Sequence, residues 1–483
     1  MIRVETPRDQ VNVAKVYEAG QEQIFEYWEE INSEQRQFLL EQIAAIDFQE
    51  FNRLIRGLRD ANNSQPAPRD PGALGPVSMV PLAVDEASRQ ALTHATEVGL
   101  TSFRAGEVGV FLVAGGQGTR LRFDGPKGLY PVGPITGRTL FHGFADQILA
   151  MQRRVRRSIP WLIMTSRSNH EATRSYFQEH AYFGLNPSSV SFHEQGMLPV
   201  VDRRRGRMLL RDRHEIALSP NGHGGAASII RTLEPTLTQQ GIRYLLYHQV
   251  DNPLLRVCDP AFLGHHILED SQFSSKAVAK KSPEEKMGVF CRSGDRTVVV
   301  EYTELSDSER HARDADGQLT FRAGNVASHV ISVNFLAANR EGAASFDMPY
   351  HHAYKATPYL RAGQSVDTGE PNSVKFESFL FDVLPHARNP IVVEADRGEE
   401  FAPVKGLEGD DTPSSCRQAL IDRWARWLES AGVAVPRDGS GQVTATLEVS
   451  ALFADSAEEL ADRLRSQRGQ GKTIEVTDQL LLE

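Results

Sequence analysis

The stretch that decides the fold runs from Val108 to Lys127 and reads VGVFLVAGGQGTRLRFDGPK. From Val108 to Ala114 it is almost unbroken apolar sequence rich in β-branched and aromatic residues, which predicts a strand buried on both faces. The run ends in Gly115, Gly116 and Gly118. Without a Cβ, the backbone there turns sharply and brings its N–H groups close to a ligand. Successive N–H groups in such a turn form an anion-binding nest. Arg120 adds a planar fork suited to phosphate oxygens. Lys127, between Pro126 and Gly128, sits in a stiff turn. The loop lacks the Gly-Lys-Ser/Thr ending of a Walker A motif and the spacing of a dinucleotide fingerprint. Read alone, it is either a phosphate cradle or a glycine-rich turn that binds nothing.

Outward from this stretch, short apolar runs alternate with helical patterns. Trp161 to Met164, Ser189 to Glu194 and Tyr244 to Val250 read as strands, and Leu140 to Arg157 and Asn169 to His180 as helices. That alternation predicts a doubly wound, mostly parallel α/β sheet. Ligands of such sheets sit at the carboxyl ends of strands. The glycine loop, Gln195 and Asp251 all fall just after predicted strands.

Toward the N-terminus, Val11 to Leu58 reads as helical with a break near Asp47, Asn62 to Pro81 as loop, and Asp85 to Arg104 as a helix. Past Asp410, Ser414 to Gly432 is a helix and Pro436 to Gly441 a linker. A strand (Gln442 to Val449), a helix (Ser456 to Arg468) and a strand (Thr473 to Val476) follow. The expected division is an N-terminal helical segment over 1–104, a central domain over 105–409, and a C-terminal helix with a small α+β module over 410–483. The basic runs Arg153 to Arg157 and Arg203 to Arg205 read as solvated faces or hairpin tips.

With 483 residues, 40% of them hydrophobic and 24% charged, the composition is that of a soluble globular protein. A net charge of −10 argues against a nucleic-acid surface. The three cysteines are far apart and give neither metal spacing nor a disulfide framework, which suits a reducing cytoplasm. The first ten residues lack an apolar signal core, and no apolar run approaches the roughly 18 residues of a membrane span. The expectation is a cytoplasmic protein with no nucleic-acid or membrane partner.

GG-x-G-T-R-L followed shortly by P-K-G resembles the signature of the nucleotide-sugar pyrophosphorylases, which join a nucleoside triphosphate to a sugar 1-phosphate on a Rossmann-like nucleotidyltransferase sheet. The likeness is strongest to the eukaryotic-type UDP-N-acetylglucosamine pyrophosphorylases and looser to their UDP-glucose and UDP-sugar relatives. It covers about Glu34 to Ala431, with a module after it that reads as shorter than the family's C-terminal domain. The resemblance implies that Gly115, Gly116, Gly118 and Thr119 cradle the nucleotide, while Arg120 and Lys127 hold its triphosphate. Lys405, in EEFAPVKG, matches a Lys that contacts phosphates. Asp251, in QVDN, resembles the family's metal-binding Asp, for Mg²⁺ with Mn²⁺ as a substitute. Its other reading is a helix N-cap.

In FHEQGMLPVVD the resemblance makes Gln195 the uracil reader, and an amide can both donate to and accept from a uracil edge. The loop Ser219 to Gly225 resembles a second base-reading segment, where Gly222 permits close approach. A plain Pro-Asn-Gly turn is the alternative. The family usually reads P-D-G-N-G-G here; this chain has Asn221 and His223, and its Gly-His-Gly is more like the UDP-glucose enzymes. Gly288, Glu301 and Asn325 match sugar-contacting segments of the amino-sugar enzymes. KFESFLFDVLP matches the segment whose Phe379 and Phe381 line the N-acetyl pocket, although a lone Phe-x-Phe is more often core. His351 and Lys355, in HHAYKATPY, fall in a further matching segment and receive no role.

The implied activity is transfer of a uridylyl group from UTP to N-acetylglucosamine 1-phosphate or a related N-acetylhexosamine 1-phosphate, with UDP-N-acetylhexosamine and pyrophosphate as products. A UDP-glucose or broad UDP-sugar pyrophosphorylase is the nearest alternative, motivated by His223. A non-catalytic nucleotide-sugar binder is the alternative of another class. The sequence sets no oligomeric state.

Overall fold

A computed structural model describes residues 2–63, 74–337, 348–470 and 474–483. Its internal contacts divide the chain into two units, one from residues 1–71, 195–227 and 347–382, the other from residues 72–194, 228–346 and 383–483.

The larger unit is built on a sheet whose main path uses eight strands: β1 (Met79–Val80), β2 (Val108–Val113), β3 (Trp161–Thr165), β4 (Val190–Glu194), β5 (Tyr244–Gln249), β6 (Phe273–Ala279), β7 (Ala323–Ser332) and β8 (Ile391–Glu394). Their order across the sheet is β1-β8-β6-β7-β5-β2-β3-β4. Only β7 runs antiparallel to its neighbours on this path. The mixed α/β class and the mostly parallel sheet match the expectation. β2 lies between β5 and β3, so both its edges are paired, and Val110, Phe111 and Leu112 are fully buried. On one face Phe141, Phe144, Ile148 and Met151 of the helix Leu140–Val155 pack with Trp161 and Phe177. That helix shows apolar residues at i, i+3, i+4 spacing because one stripe of it meets the sheet.

Two sequence expectations change in this unit. Within Asn62 to Pro81, read as loop, residues 64–73 lie outside the described residues, but Leu74–Pro76 and β1 are edge strands of the sheet. Pro76 at the end of a short edge strand takes no ladder hydrogen bond away from the centre, so proline marks an edge here and not a loop. The closing strand of the C-terminal module is Gln479–Leu482, not Thr473 to Val476. Residue 473 lies outside the described residues, and 474–476 carry no strand. Gln479–Leu482 pairs in parallel with Thr446–Val449 across the helix Ala457–Gly469, matching Leu447 to Leu480 and Val449 to Leu482. Pro436 to Gly441 is a tight turn, in which the Asp438 carboxylate accepts N–H groups of Ser440 and Gln442.

In the other unit the predicted helical stretch is three helices, Pro7–Glu18, Ser33–Ala44 and Phe48–Asn63. The break falls at Asp47, whose carboxylate accepts the N–H groups of Gln49 at 2.9 Å and Glu50 at 3.1 Å. A side chain that satisfies the orphan donors of a helix start also ends the preceding helix. Leu39, Ile43, Phe51 and Leu54 pack against Val201, Ile216, Val374 and Phe376 from short strands. Arg203 to Arg205 are an exposed hairpin tip, held by the Asp202 carboxylate, and Arg153, Arg154, Arg156 and Arg157 are exposed. Among the described residues no helix is long and apolar enough to cross a membrane.

Candidate active site

The parallel pairing of β2 with β5 sets Val113 beside Gln249, and the Val250 N–H donates to the Val113 carbonyl at 3.1 Å. The glycine loop and Asp251 therefore leave the sheet side by side, at strand carboxyl ends. The Pro126–Lys127 segment folds back on the loop. Gln117 bridges Pro126, the Lys127 N–H donates to the Gly116 carbonyl at 3.0 Å, and the Gly118 N–H donates to the Gly125 carbonyl at 3.0 Å. The glycines are not equivalent. A Cβ on Gly118 would meet Phe123 at 2.8 Å, and one on Gly128 would meet Phe141 at 2.1 Å, so both are packing requirements. Gly116 is exposed, with open space where its Cβ would be. No neighbour demands glycine there.

Thr119 and Arg120 form a short 3₁₀ turn with Leu121 and are exposed. The Arg120 side chain has no ion-pair or hydrogen-bond partner among the described residues. Lys127 is only 9% exposed. Its ammonium lies 3.6 Å from the Asp251 carboxylate. The N-cap reading of Asp251 fails, because the next helix, Pro260–Leu268, is capped by Asp259. The Asp251 carbonyl accepts the Val404 N–H at 2.8 Å, which brings the neighbouring Lys405 to the same region; the Lys405 ammonium pairs with Asp411 at 2.8 Å. Arg120, Lys127, Asp251 and Lys405 thus belong to one set of strand-end loops.

Gly288, Glu301 and Asn325 also converge. The Asn325 N–H donates to the Gly288 carbonyl at 2.8 Å, and a Cβ on Gly288 would come within 3.1 Å of Glu301 Oε1. All three are half-buried.

In the smaller unit, Met197–Pro199 pairs with Leu218–Pro220, so the two segments read as base-contacting are neighbours. The Asn221 N–H donates to the Gly196 carbonyl at 3.0 Å, and Gln195 is 8% exposed. Gly222 has φ +84°, and a Cβ there would fall 2.4 Å from the Ser378 carbonyl oxygen. The turn reading is right, and the loop is in addition pressed onto Ser378. Asn221 Oδ1 is buried with no partner among the described residues.

His223, Phe379 and Phe381, each read as sugar-binding, lie together, and His351 completes a stack. The His223 ring lies 5.2 Å from that of Phe379 at 15°, and the His351 ring lies 4.3 Å from it at 23°. Phe381 is 5.2 Å from Phe379 and 5.5 Å from His223. The Leu380 N–H donates to His223 Nδ1 at 3.2 Å, which fixes the proton of the neutral ring on Nε2. Burial, and secondarily the neighbouring His351, push the His223 pKa down to about 4. Lys355 is exposed and stands at the end of the strand His351–Lys355.

Four residues that hold these groups drew no site role from the sequence. Asn169 donates to the Ala114 carbonyl at 2.9 Å and the Gly116 carbonyl at 3.3 Å, anchoring the glycine loop. Asn252 ties residues 400–402 beside Asp251. Asp382 accepts the Phe379 N–H at 3.2 Å and pairs with His351 Nε2 at 3.0 Å, making His351 the fourth. Asn169 and Asn252 do carry a signal, since each is a polar residue within four positions of a strand's carboxyl end.

The family model described as UTP–glucose-1-phosphate uridylyltransferase matches residues 85–446. UDP-N-acetylglucosamine diphosphorylase 2 of Arabidopsis thaliana is 34% identical over 473 residues, covering 93% of this chain and 91% of its own. UDP-N-acetylglucosamine pyrophosphorylase of Saccharomyces cerevisiae is 33% identical over 464 residues, covering 92% and 95%. Those spans leave no long C-terminal domain of these relatives unmatched, which corrects that expectation. Among solved structures, the uridine diphosphate N-acetylglucosamine pyrophosphorylase of Trypanosoma brucei, in complex with an inhibitor, superposes with a TM-score of 0.82 at 26% identity, covering 100% of this chain and 99% of that one. A UDP-glucose phosphorylase of the same organism, at 16% identity and a TM-score of 0.60, shares the fold alone. With its glycine loop, strand-end Lys and Asp and aromatic cluster in place, the chain belongs to the UDP-N-acetylglucosamine pyrophosphorylase family of nucleotidyltransferases.

Proposed function

We propose that this enzyme transfers the uridylyl group of UTP to N-acetylglucosamine 1-phosphate or a related N-acetylhexosamine 1-phosphate. A phosphate oxygen of the sugar attacks the α-phosphorus in line, and the bond to pyrophosphate breaks. The observation that carries this reading is the Lys127–Asp251 pair at 3.6 Å, beside a glycine loop whose Gly116 faces open space. Such a reaction demands positioning and charge neutralisation and needs no side-chain nucleophile.

In this reading the N–H groups of Gly115, Gly116 and Thr119 take nucleotide phosphate oxygens, Gly118 shapes the loop through its N–H bond to the Gly125 carbonyl, and Arg120, Lys127 and Lys405 offset the charge that builds on the leaving pyrophosphate. Asp251 is the metal ligand. Among the described residues no three His, Cys, Asp or Glu side chains gather to form a cage. A lone carboxylate suits Mg²⁺, or Mn²⁺ in its place, shared with substrate phosphates. Bound there, the ion neutralises triphosphate charge. Gln195 reads uracil, and Gly222 fixes the adjacent loop through its turn and its close approach to Ser378. Gly288, Glu301 and Asn325 take sugar hydroxyls, and Phe379 and Phe381 receive the acetyl group. The three cysteines are all buried and free, which supports a reducing, cytoplasmic setting.

A second reading keeps the chemistry and changes the sugar to glucose or another hexose. It rests on His223, which stands where the amino-sugar enzymes usually have Asn and which stacks on Phe379. Incubation of the protein with UTP, Mg²⁺ and N-acetylglucosamine 1-phosphate, followed by mass spectrometry, should give UDP-N-acetylglucosamine. UDP-sugar bound but never formed, with any sugar phosphate, would reduce the protein to a binder.

A further inference from the structure

The C-terminal module grips the segment that follows Lys127. Residues Tyr130 to Leu140 leave the Lys127 turn and return into the helix Leu140–Val155. Pro131 bridges Thr139, the N–H groups of Val132 and Gly133 both donate to the Arg138 carbonyl, and the Leu140 N–H donates to the Tyr130 carbonyl. At the tip of this excursion sits Glu448, from the strand Thr446–Val449. Its carboxylate accepts the Ile135 N–H at 2.7 Å, the Thr136 N–H at 2.8 Å and the Thr136 hydroxyl. Glu448 is 3% exposed. A buried carboxylate is costly unless its oxygens are taken up, and these three donors do so. Gly133 leaves room for it, since a Cβ there would stand 2.9 Å from Glu448 Oε1. Two more C-terminal side chains reach the same excursion: Arg417 donates to the Pro131 carbonyl at 2.9 Å, and Glu483 pairs with Arg138 at 2.7 Å.

The excursion is coupled to Lys127 at short range. The Tyr130 N–H donates to the Lys127 carbonyl at 3.0 Å, and Gly128 is pressed against Phe141 so closely that no side chain fits between. The turn carrying Lys127 has little freedom to move independently of the excursion. We propose that Glu448 is a positioning residue for Lys127, so that the C-terminal module completes the phosphate side of the site. The inference rests on the reading of Lys127 as a phosphate-binding cation.

A double-mutant cycle tests it. Glu448→Ala should lower kcat about tenfold or more, since displacement of a catalytic group by about 1 Å is costly, with KM for the sugar phosphate unchanged. In a Lys127→Ala background the same change should cost less than about twofold, because no Lys127 remains to be misplaced. An equal fold-loss in both backgrounds would make Glu448 merely structural and overturn the inference, as would unchanged kcat for Glu448→Ala. Thr136→Val removes one donor from the other side of the contact. It should show a smaller loss with the same background dependence, and it decides the matter if Glu448→Ala does not fold. Full turnover in Lys127→Ala alone would instead remove the phosphate role of Lys127, before Glu448 is touched.

Discussion

The strand-end cluster of the larger unit and the aromatic cluster of the smaller unit face opposite physical problems. At the strand ends, Arg120 is exposed and has no side-chain partner among the described residues, Lys127 and Asp251 face each other at 3.6 Å, and Gly116 looks onto open space. In the proposed reading those groups meet charge that arrives with a ligand. In the other unit His223, Phe379 and His351 are stacked ring on ring, His223 is held neutral, and Gly222 is pressed onto Ser378. Those groups are already satisfied by one another. The first cluster is therefore expected to govern rate and the second to govern selectivity and stability.

The largest effect that separates them is on turnover. Arg120→Ala and Lys127→Ala should each lower kcat by about 10²–10³-fold, the scale seen when one charge-stabilising donor is removed, with Tm unchanged. Steady-state kinetics alongside thermal melts would check this. A folded Arg120→Ala protein with normal turnover would break the comparison at its stronger side.

The two loop glycines should divide in the same way. Gly222→Ala, at φ +84° and against the Ser378 carbonyl, should cost about 1–3 kcal/mol of stability in urea unfolding. Gly116→Ala should leave stability within about 0.5 kcal/mol and raise KM for UTP.

His223 gives a pH signature. Its folded pKa of about 4 lies below the ordinary 6.5, so the unfolded chain takes up a proton first as the pH falls. Its contribution is complete above about 6.5 and is lost between there and about 4. Buried His248 and His266, both pushed down to about 3, act in the same direction. His223→Asn should thus flatten the acid-side decline of Tm only in part. The same variant should shift the ratio of kcat/KM for the acetylated and plain sugar phosphates, and an unmoved ratio would place His223 outside the sugar site. The smallest effect, remote from both clusters, is Asp47→Ala, which should cost about 1 kcal/mol as a lost helix cap.

The sheet and the glycine loop were legible because their signals are contiguous. An apolar run from Val108, glycines at its end and Pro-Lys-Gly soon after need no knowledge of distant residues. Asp251 was legible only as a strand-end carboxylate. Setting aside the N-cap reading required seeing that Asp259 caps the next helix. His351 was beyond reach, because its partners Phe379 and Asp382 lie some thirty residues away and nothing local encodes that stacking. The closing strand was misplaced for a similar reason. Residues 474–476 and 479–482 are both short apolar runs, and only parallel pairing with Thr446–Val449 distinguishes them. Glu448 drew no attention as one acidic residue in an apolar strand, although a buried charge in such a place asks for donors.

The most direct measurement is pyrophosphate release from UTP and Mg²⁺ with N-acetylglucosamine 1-phosphate and glucose 1-phosphate compared side by side. The account predicts a higher kcat/KM for the acetylated sugar, with Phe379 and Phe381 outweighing His223. A higher value for glucose 1-phosphate would contradict the assignment of the aromatic cluster to the acetyl group and make His223 the determinant of the sugar.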